Sequence, residues 1–107
     1  MTPRREPSHS LEAAQKAVAK GDFVVSAQVL ASASLVLCDR HDIADCICNL
    51  SPRDFYKSME SDRRPGRWQD VYRTRFAGFR VYVKFDLVHG EGEVVVVLSF
   101  KVDEAAP

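Results

Sequence analysis

The chain has 107 residues, of which 46% are hydrophobic and 28% are charged, and its formal net charge is zero. This length fits one domain, and the composition excludes disordered and fibrous proteins. The zero net charge excludes whole-molecule attraction to nucleic acid, so a phosphate-binding surface would require local segregation of Lys and Arg. We expect a single domain over residues 1–107, with mobile ends at 1–9 and 103–107.

Several features predict a cytoplasmic protein that does not contact membranes. The first ten residues, MTPRREPSHS, lack the apolar stretch of a secretory signal. The longest apolar run, Val94 to Leu98, is too short to span a membrane. Cys38, Cys46 and Cys48 are odd in number and lie in apolar helical patterns, so we expect buried, unpaired thiols. A metal site would need more Cys or His ligands, and we expect neither a metal nor another cofactor.

The first two helices are predicted by apolar spacing and by their caps. The first should run from about Ser10 to Lys20. After an extended stretch over residues 23–25, Ser26 can cap a second helix that ends near Leu37. The apolar side of this second helix is predicted to consist of Val29, Leu30, Ala33 and Leu37.

A third helix has the clearest periodicity, with Asp39 available as its cap and an end near Asn49. Its apolar positions are Ile43, Cys46, Ile47 and Leu50. Residues 51–54 then predict one helical turn, followed by a strand through about Met59. Residues 60–67 contain three arginines and Pro65-Gly66, which indicates a loop that is either a solvated surface or a contact for RNA.

The remaining sequence predicts three strands, over Arg67–Phe76, Phe79–Val88 and Glu93–Lys101. Ala77-Gly78 forms a two-residue turn that pairs Phe76 with Phe79. A four-residue loop over 89–92 pairs Val88 with Glu93. This register gives the sheet one continuous apolar face for the helices, on which Asp70 is the single misfit.

The opposite face is predicted to be polar and basic. The register places Arg73 across from Tyr82, Tyr82 across from Ser99, and Arg80 across from Lys101. The whole set on this face is Gln69, Val71, Arg73, Arg75, Arg80, Tyr82, Lys84, Asp86, Val95, Val97, Ser99 and Lys101. The pattern provides the charge segregation that RNA binding requires, although an ordinary solvent-facing sheet would show it too. The predicted architecture is α+β, with three helices packed on one face of a mostly antiparallel sheet.

Four strings, LSPRDFYKSM, WQDVYRTR, VYVK and VLSFK, occur in this order between Leu50 and Lys101. In content and spacing they resemble the MqsR family of toxin–antitoxin ribonucleases. The resemblance implies a RelE-like fold, cleavage of mRNA without a metal, and a protein antitoxin as partner. By position it implies functional roles for Lys57, Gln69, Tyr82 and Lys101. Thr74 departs from the family pattern, which often has proline there, and the arginine-rich loop is a second departure.

The basic residues of the polar face and of the loop are the predicted RNA contacts: Arg73, Arg75, Arg80, Lys84, Arg63, Arg64 and Arg67. We predict that the substrate's 2′-hydroxyl attacks the phosphorus, which leaves a 2′,3′-cyclic phosphate. Arg73 and one lysine would stabilise the phosphate, Lys101 or Tyr82 would act as general acid, and Gln69 would position the ribose or a base. The base is not assigned.

Two further expectations concern residues outside this set. Tyr56, Met59 and Trp68 are expected to pack in the core or at the sheet edge rather than to stack on bases. None of the three histidines falls on the basic face in the predicted register.

The alternative function is that of a catalytically degenerate homologue, which would act as an RNA-binding or antitoxin-binding module.

Overall fold

The computed structural model of the chain describes residues 2–104, so Met1 and residues 105–107, for which we expected mobility, lie outside the described residues. The elements in chain order are α1 (Leu11–Ala19), β1 (Phe23–Val25), α2 (Ala27–Ser34), α3 (Arg40–Cys48), a 3₁₀ turn (Pro52–Asp54), β2 (Phe55–Glu60), β3 (Trp68–Phe76), β4 (Phe79–His89) and β5 (Glu93–Val102). No helix within residues 2–104 is long and apolar enough to cross a membrane.

The five strands form one sheet in the order β1-β5-β4-β3-β2. β1 runs parallel to β5, and every other neighbouring pair is antiparallel. All three helices contribute side chains to a single hydrophobic core against one face of this sheet. The predicted α+β architecture is therefore confirmed, and it is consistent with a RelE-like fold.

The helices begin at the predicted caps. The side chains of Ser10, Ser26 and Asp39 each accept a backbone N–H from the first turn of the helix that follows. The expected end of α2 near Leu37 is wrong, because the helix stops at Ser34. Leu37 has a φ of 61° and is 81% exposed, and Val36 is buried in its place.

The cysteine prediction is correct for two of the three thiols. Cys38 and Cys46 are buried and unpaired, and burial raises the pKa of the Cys46 thiol to about 12. Cys48 is exposed, which contradicts our expectation for it. It lies at the last position of α3, two residues from Cys46, and therefore on a different side of that helix.

The β3–β4 hairpin has the predicted register, with Phe76 opposite Phe79, Thr74 opposite Val81 and Tyr72 opposite Val83. Ala77 and Gly78 both have positive φ, at 53° and 84°. Positive φ at both central residues is the geometry of the type I′ turn, whose twist suits a tight hairpin.

The predicted register of the β4–β5 hairpin is wrong. His89 rather than Val88 lies opposite Glu93, and Leu87 pairs with Val95. Val95 and Val97 consequently point into the core instead of lying on the polar face. Because residues 94–98 are all apolar, the alternation of side chains gave no reason to prefer one face over the other.

The buried misfit Asp70 has backbone partners from the N-terminal segment. Its two carboxylate oxygens each accept a backbone N–H, from Ser8 and from His9, at 2.9 Å. Arg4 also pairs with Ser58 of β2 through an isolated antiparallel β-bridge between their backbones. Ser8 and His9, which belong to the range 1–9 for which we expected mobility, thus make specific hydrogen bonds to a buried carboxylate.

Candidate active site

The sheet face opposite the helices, which we call the open face, carries the four residues that the family resemblance implied. Arg73, Tyr82 and Lys101 form one cross-strand row on β3, β4 and β5. The adjacent row runs from Lys57 through Val71 to Lys84 and Ser99. Gln69 lies two residues before Val71 on β3 and so on the same face. The polar side chains that define the site are Lys57, Gln69, Arg73, Tyr82, Lys84 and Lys101.

Lys101 lies on the open face even though the predicted register of β5 was wrong. A β-bulge leaves Leu98 unpaired between Val97, opposite Phe85, and Ser99, opposite Lys84. One extra residue reverses the alternation, so Phe100 points into the core and Lys101 points out. Lys101 then faces Tyr82 directly, with its Nζ 5.1 Å from the centre of the tyrosine ring. The predicted pairs of Tyr82 with Ser99 and of Arg80 with Lys101 are wrong.

A cleft of about 850 Å³ opens beside these rows. One wall comes from the open face and includes Gln69, Lys84 and Lys101, with Arg63 reaching it from the β2–β3 loop. The other wall comes from β1 and from the beginning of α2. This volume lies in the range of pockets that hold small molecules, and its basic wall suits a phosphate-bearing ligand.

The environment lowers the pKa of one open-face residue and raises the pKa of another. Burial lowers the pKa of Lys84, and the positive charges of Lys101 and Lys57 lower it further, while Asp62 acts in the opposite direction. Burial raises the pKa of Tyr82, with smaller contributions from Tyr56 and Asp103. The face therefore combines a lysine biased toward its neutral form with a tyrosine that keeps its proton.

Two arginines that we predicted as RNA contacts are held by carboxylates. Nε of Arg73 donates to Oδ2 of Asp103 at 2.6 Å, and this hydrogen bond raises the pKa of Arg73. Arg67 donates from Nε and Nη2 to the two oxygens of Asp86, at 3.1 and 2.8 Å. Asp103 is buried, although it belongs to the range 103–107 for which we expected mobility. Much of the charge on both arginines is thus compensated within the protein.

The other predicted RNA contacts lie at the margins of the open face. Arg75 and Arg80 lie opposite each other on β3 and β4, beside the β3–β4 turn. They are two residues beyond the row of Arg73 and Tyr82. Nε of Arg80 is buried and has no hydrogen-bond partner among the described residues. Arg63 and Arg64 are exposed in the β2–β3 loop.

Tyr56 is a member of the site that sequence reasoning missed. The β2–β3 pairing skips Tyr56 between Phe55 and Lys57, and the tyrosine is 45% exposed. The Arg73 guanidinium lies 4.6 Å from the centre of its ring, and Lys57 Nζ lies 5.2 Å from it. Phe55 packs against the core beside it. Because the pairing skips Tyr56, this residue and its neighbour Lys57 both lie at the open face, which alternation along a regular strand does not predict.

Potential metal ligands are sparse in this region. Within residues 2–104, no three His, Cys, Asp or Glu side chains lie close enough together to hold a metal ion. His9 contacts Asp86 of β4, with its Nε2 2.7 Å from the Trp68 carbonyl oxygen and 3.1 Å from Oδ1 of Asp86. The candidate groups for chemistry are therefore Gln69, Lys84 and Lys101 in the cleft and Tyr82 on the open face beside it.

Comparison with known proteins extends the resemblance to the helical half. The profile of a family described as "Motility quorum-sensing regulator, toxin of MqsA" matches residues 6–102. The chain is also similar to a relative from Escherichia coli (strain K12) named "mRNA interferase toxin MqsR". The two are 34% identical over 98 residues, which cover 92% of this chain and 96% of the relative.

Proposed function

The chain belongs to the MqsR toxin family, and from that premise we propose that it is an endoribonuclease toxin that cleaves mRNA and so inhibits translation. The observation that carries this function is the row of Lys57, Lys84 and the neighbouring Tyr82 and Lys101 on one open face beside a basic cleft. A merely solvent-facing sheet would not need a partly buried lysine flanked by two other lysines.

In the proposed reaction, the 2′-hydroxyl of the substrate attacks the adjacent phosphorus and the 5′-oxygen leaves. Lys57 and Lys101 stabilise the negative charge that develops on the phosphate. Arg73 lies in the same row as Lys101, but its bond to Asp103 favours a role in positioning Tyr56 and the phosphate over that of a free cation. Gln69 binds the ribose or a base by hydrogen bonding, since its amide does not titrate.

We assign the two proton transfers to Lys84 and Tyr82. Lys84 accepts the proton of the 2′-hydroxyl, because burial and the nearby Lys101 and Lys57 lower its pKa and so favour the neutral amine that a general base requires. Tyr82 donates a proton to the leaving 5′-oxygen, because its raised pKa keeps the phenol protonated until the transition state develops charge. The substrate supplies its own nucleophile, so no metal-bound hydroxide is required.

A ribonuclease assay with the purified chain tests the proposed function. Wild-type protein should cut a messenger RNA in excess chelator, and Lys57→Ala should reduce the rate roughly 10²-fold. Lys16→Ala is the matched control, because Lys16 lies on α1, is exposed, and within residues 2–104 forms an ion pair only with Glu12, at 3.2 Å. Wild-type protein that leaves RNA intact, or equal losses in the two variants, would contradict the proposal.

We also propose that the toxin acts in the cytoplasm and is neutralised by a protein antitoxin of the MqsA type, since the family is described as the toxin of MqsA. Expression of the chain alone should arrest growth and deplete mRNA, and co-expression of the antitoxin should relieve both effects. Normal growth with undiminished mRNA during robust expression of the unmodified chain would argue against this partnership.

A further inference from the structure

A second cleft, of about 490 Å³, adjoins the first toward the β4–β5 hairpin. Its wall includes Arg64 and Arg67 of the β2–β3 loop, together with the Asp86 carboxylate that pairs with Arg67, and its floor includes Val88, Val96 and Leu98. This combination of a cationic wall and an apolar floor is distinct from the lysine-rich lining of the first cleft.

The two clefts lie next to each other, because they share lining residues. Arg63, Gln69, Val96 and Leu98 line both of them. Gln69 thus lies at the junction, with Lys84 and Lys101 on one side and the loop arginines on the other. A strand bound at the lysines could continue past Gln69 into the second cleft without leaving the protein surface.

The wall of the second cleft is held in place by several bonds. Besides its two bonds to Asp86, Arg67 donates from Nη2 to the Leu87 carbonyl oxygen at 3.2 Å. The backbone N–H of Gly66 donates to the Glu60 carboxylate at 2.6 Å. The N–H of Ser61 donates to the Arg67 carbonyl at 2.8 Å, which closes the base of the loop. Asp86 is buried, whereas the Arg67 side chain is 40% exposed, so the pair anchors the arginine while leaving part of it open to solvent.

These anchors leave Arg63 and Arg64 as exposed cations at the rim, above an apolar floor. A nucleotide has the complementary parts, since its phosphate matches the arginines and its base or ribose can cover Val88, Val96 and Leu98. The charge of the rim favours a polyanion over an apolar peptide.

We propose that the second cleft is a subsite for a nucleotide that flanks the scissile phosphate, so that the RNA strand runs from Lys84 and Lys101 past Gln69 to the β2–β3 loop. This inference rests on the proposed ribonuclease activity. It assigns the arginine-rich loop a role in substrate length and context rather than in the chemical step.

The test uses oligoribonucleotides with one cleavable position, all other riboses being 2′-deoxy, extended by one nucleotide at a time on either side. For wild-type protein, extension on one side should raise kcat/KM about tenfold when it fills the subsite. Val88→Asp should abolish this gain, because it places a carboxylate in the floor of the second cleft. Arg64→Ala, at an exposed position, should reduce the gain as an independent variant.

Leu37→Asp is the matched control, because it makes the same charge change at an exposed position that lines neither cleft. It should keep the full gain from substrate length. A gain that is absent on both sides, or that is equal in Val88→Asp and Leu37→Asp, overturns the subsite while leaving the ribonuclease proposal intact. Failure of the wild-type protein to cleave any RNA overturns both.

Discussion

The two faces of the sheet differ in what their side chains contact, and β4 shows the difference residue by residue. Val81, Val83 and Phe85 are completely buried against the helices. Tyr82 and Lys84 lie between them and point to the open face, where Tyr82 lies between Arg73 and Lys101, and Lys84 lies between Val71 and Ser99. Because side chains alternate along a strand, the residues that stabilise the core lie on one face and the residues of the proposed active site lie on the other. Substitutions on the two faces should have separable effects.

The largest effect on activity is expected from Lys101→Ala. Lys101 is exposed and makes no ion pair among residues 2–104, so its loss should leave the melting temperature unchanged. It should lower kcat/KM for RNA cleavage by roughly 10²–10³-fold, because a cation that stabilises the phosphate is removed. Steady-state cleavage and a thermal melt measure the two quantities, and a variant that loses stability in parallel with activity would break the separation of the faces.

Phe85→Ala is the opposite case, in which stability should fall while activity is kept. Phe85 is fully buried and stacks on Tyr72, with ring centres 5.7 Å apart and planes at 4°. Its truncation should reduce the free energy of unfolding by roughly 3–5 kcal/mol, through lost burial and the cavity that remains. Chemical denaturation measures this loss. At a temperature where the variant is still folded, its kcat/KM should be close to the wild-type value. A large loss of kcat/KM there would contradict the claim that the two faces have separable effects.

Asp70 places a carboxylate, beside the buried Ser58, on the otherwise apolar face of the sheet, and so sharpens the comparison. Asp70→Ala removes the acceptor for two backbone N–H groups and should lower the free energy of unfolding by about 2 kcal/mol. Asp70→Asn keeps one acceptor and should lower it less. Hydrogen exchange of the Ser8 and His9 amides should accelerate in both variants. Unchanged exchange would show that the carboxylate does not hold the N-terminal segment.

The smallest predicted effect is a displacement of the pH profile by Asp62→Asn. Asp62 raises the pKa of Lys84, so its neutralisation should lower that pKa further. Because the neutral amine is the active form of a general base, kcat/KM rises with pH through this pKa, and the rise should move to lower pH in the variant. Asp45→Asn, on α3, should leave the profile in place. A rise that moves to higher pH, or that does not move, would remove Lys84 from the role of base.

Local sequence signals predicted most of the fold, because caps and apolar periodicity act over a few residues. Ser10, Ser26 and Asp39 each cap the helix that they were expected to begin. The β3–β4 register followed from a two-residue turn and a clear alternation. The β4–β5 register could not be predicted in this way, because residues 94–98 are all apolar and give no alternation. A bulge at Leu98 also reverses which side chains of β5 point to each face.

The positions of the proposed site residues were more predictable than their contacts. Lys57, Gln69, Tyr82 and Lys101 came from the family resemblance and remain a proposal as a site. Strand alternation placed Gln69 and Tyr82 on one face, and Lys101 joins them only because a bulge offsets the wrong register of β5. Neither signal could reveal that Asp103 holds Arg73, that Asp86 holds Arg67, or that Tyr56 lies against Arg73. These contacts join segments far apart in the chain, and only the folded sheet brings them together.

The most direct test of the account is the chemistry of the cleaved end. Wild-type protein in excess chelator should leave a 2′,3′-cyclic phosphate on the upstream fragment, detected by mass spectrometry. An otherwise identical RNA with deoxyribose at the cleaved nucleotide should bind and remain intact, because it lacks the nucleophile. Loss of cleavage in chelator, or cleavage of the deoxy-substituted RNA, would contradict a reaction performed by the lysines and the tyrosine of the open face.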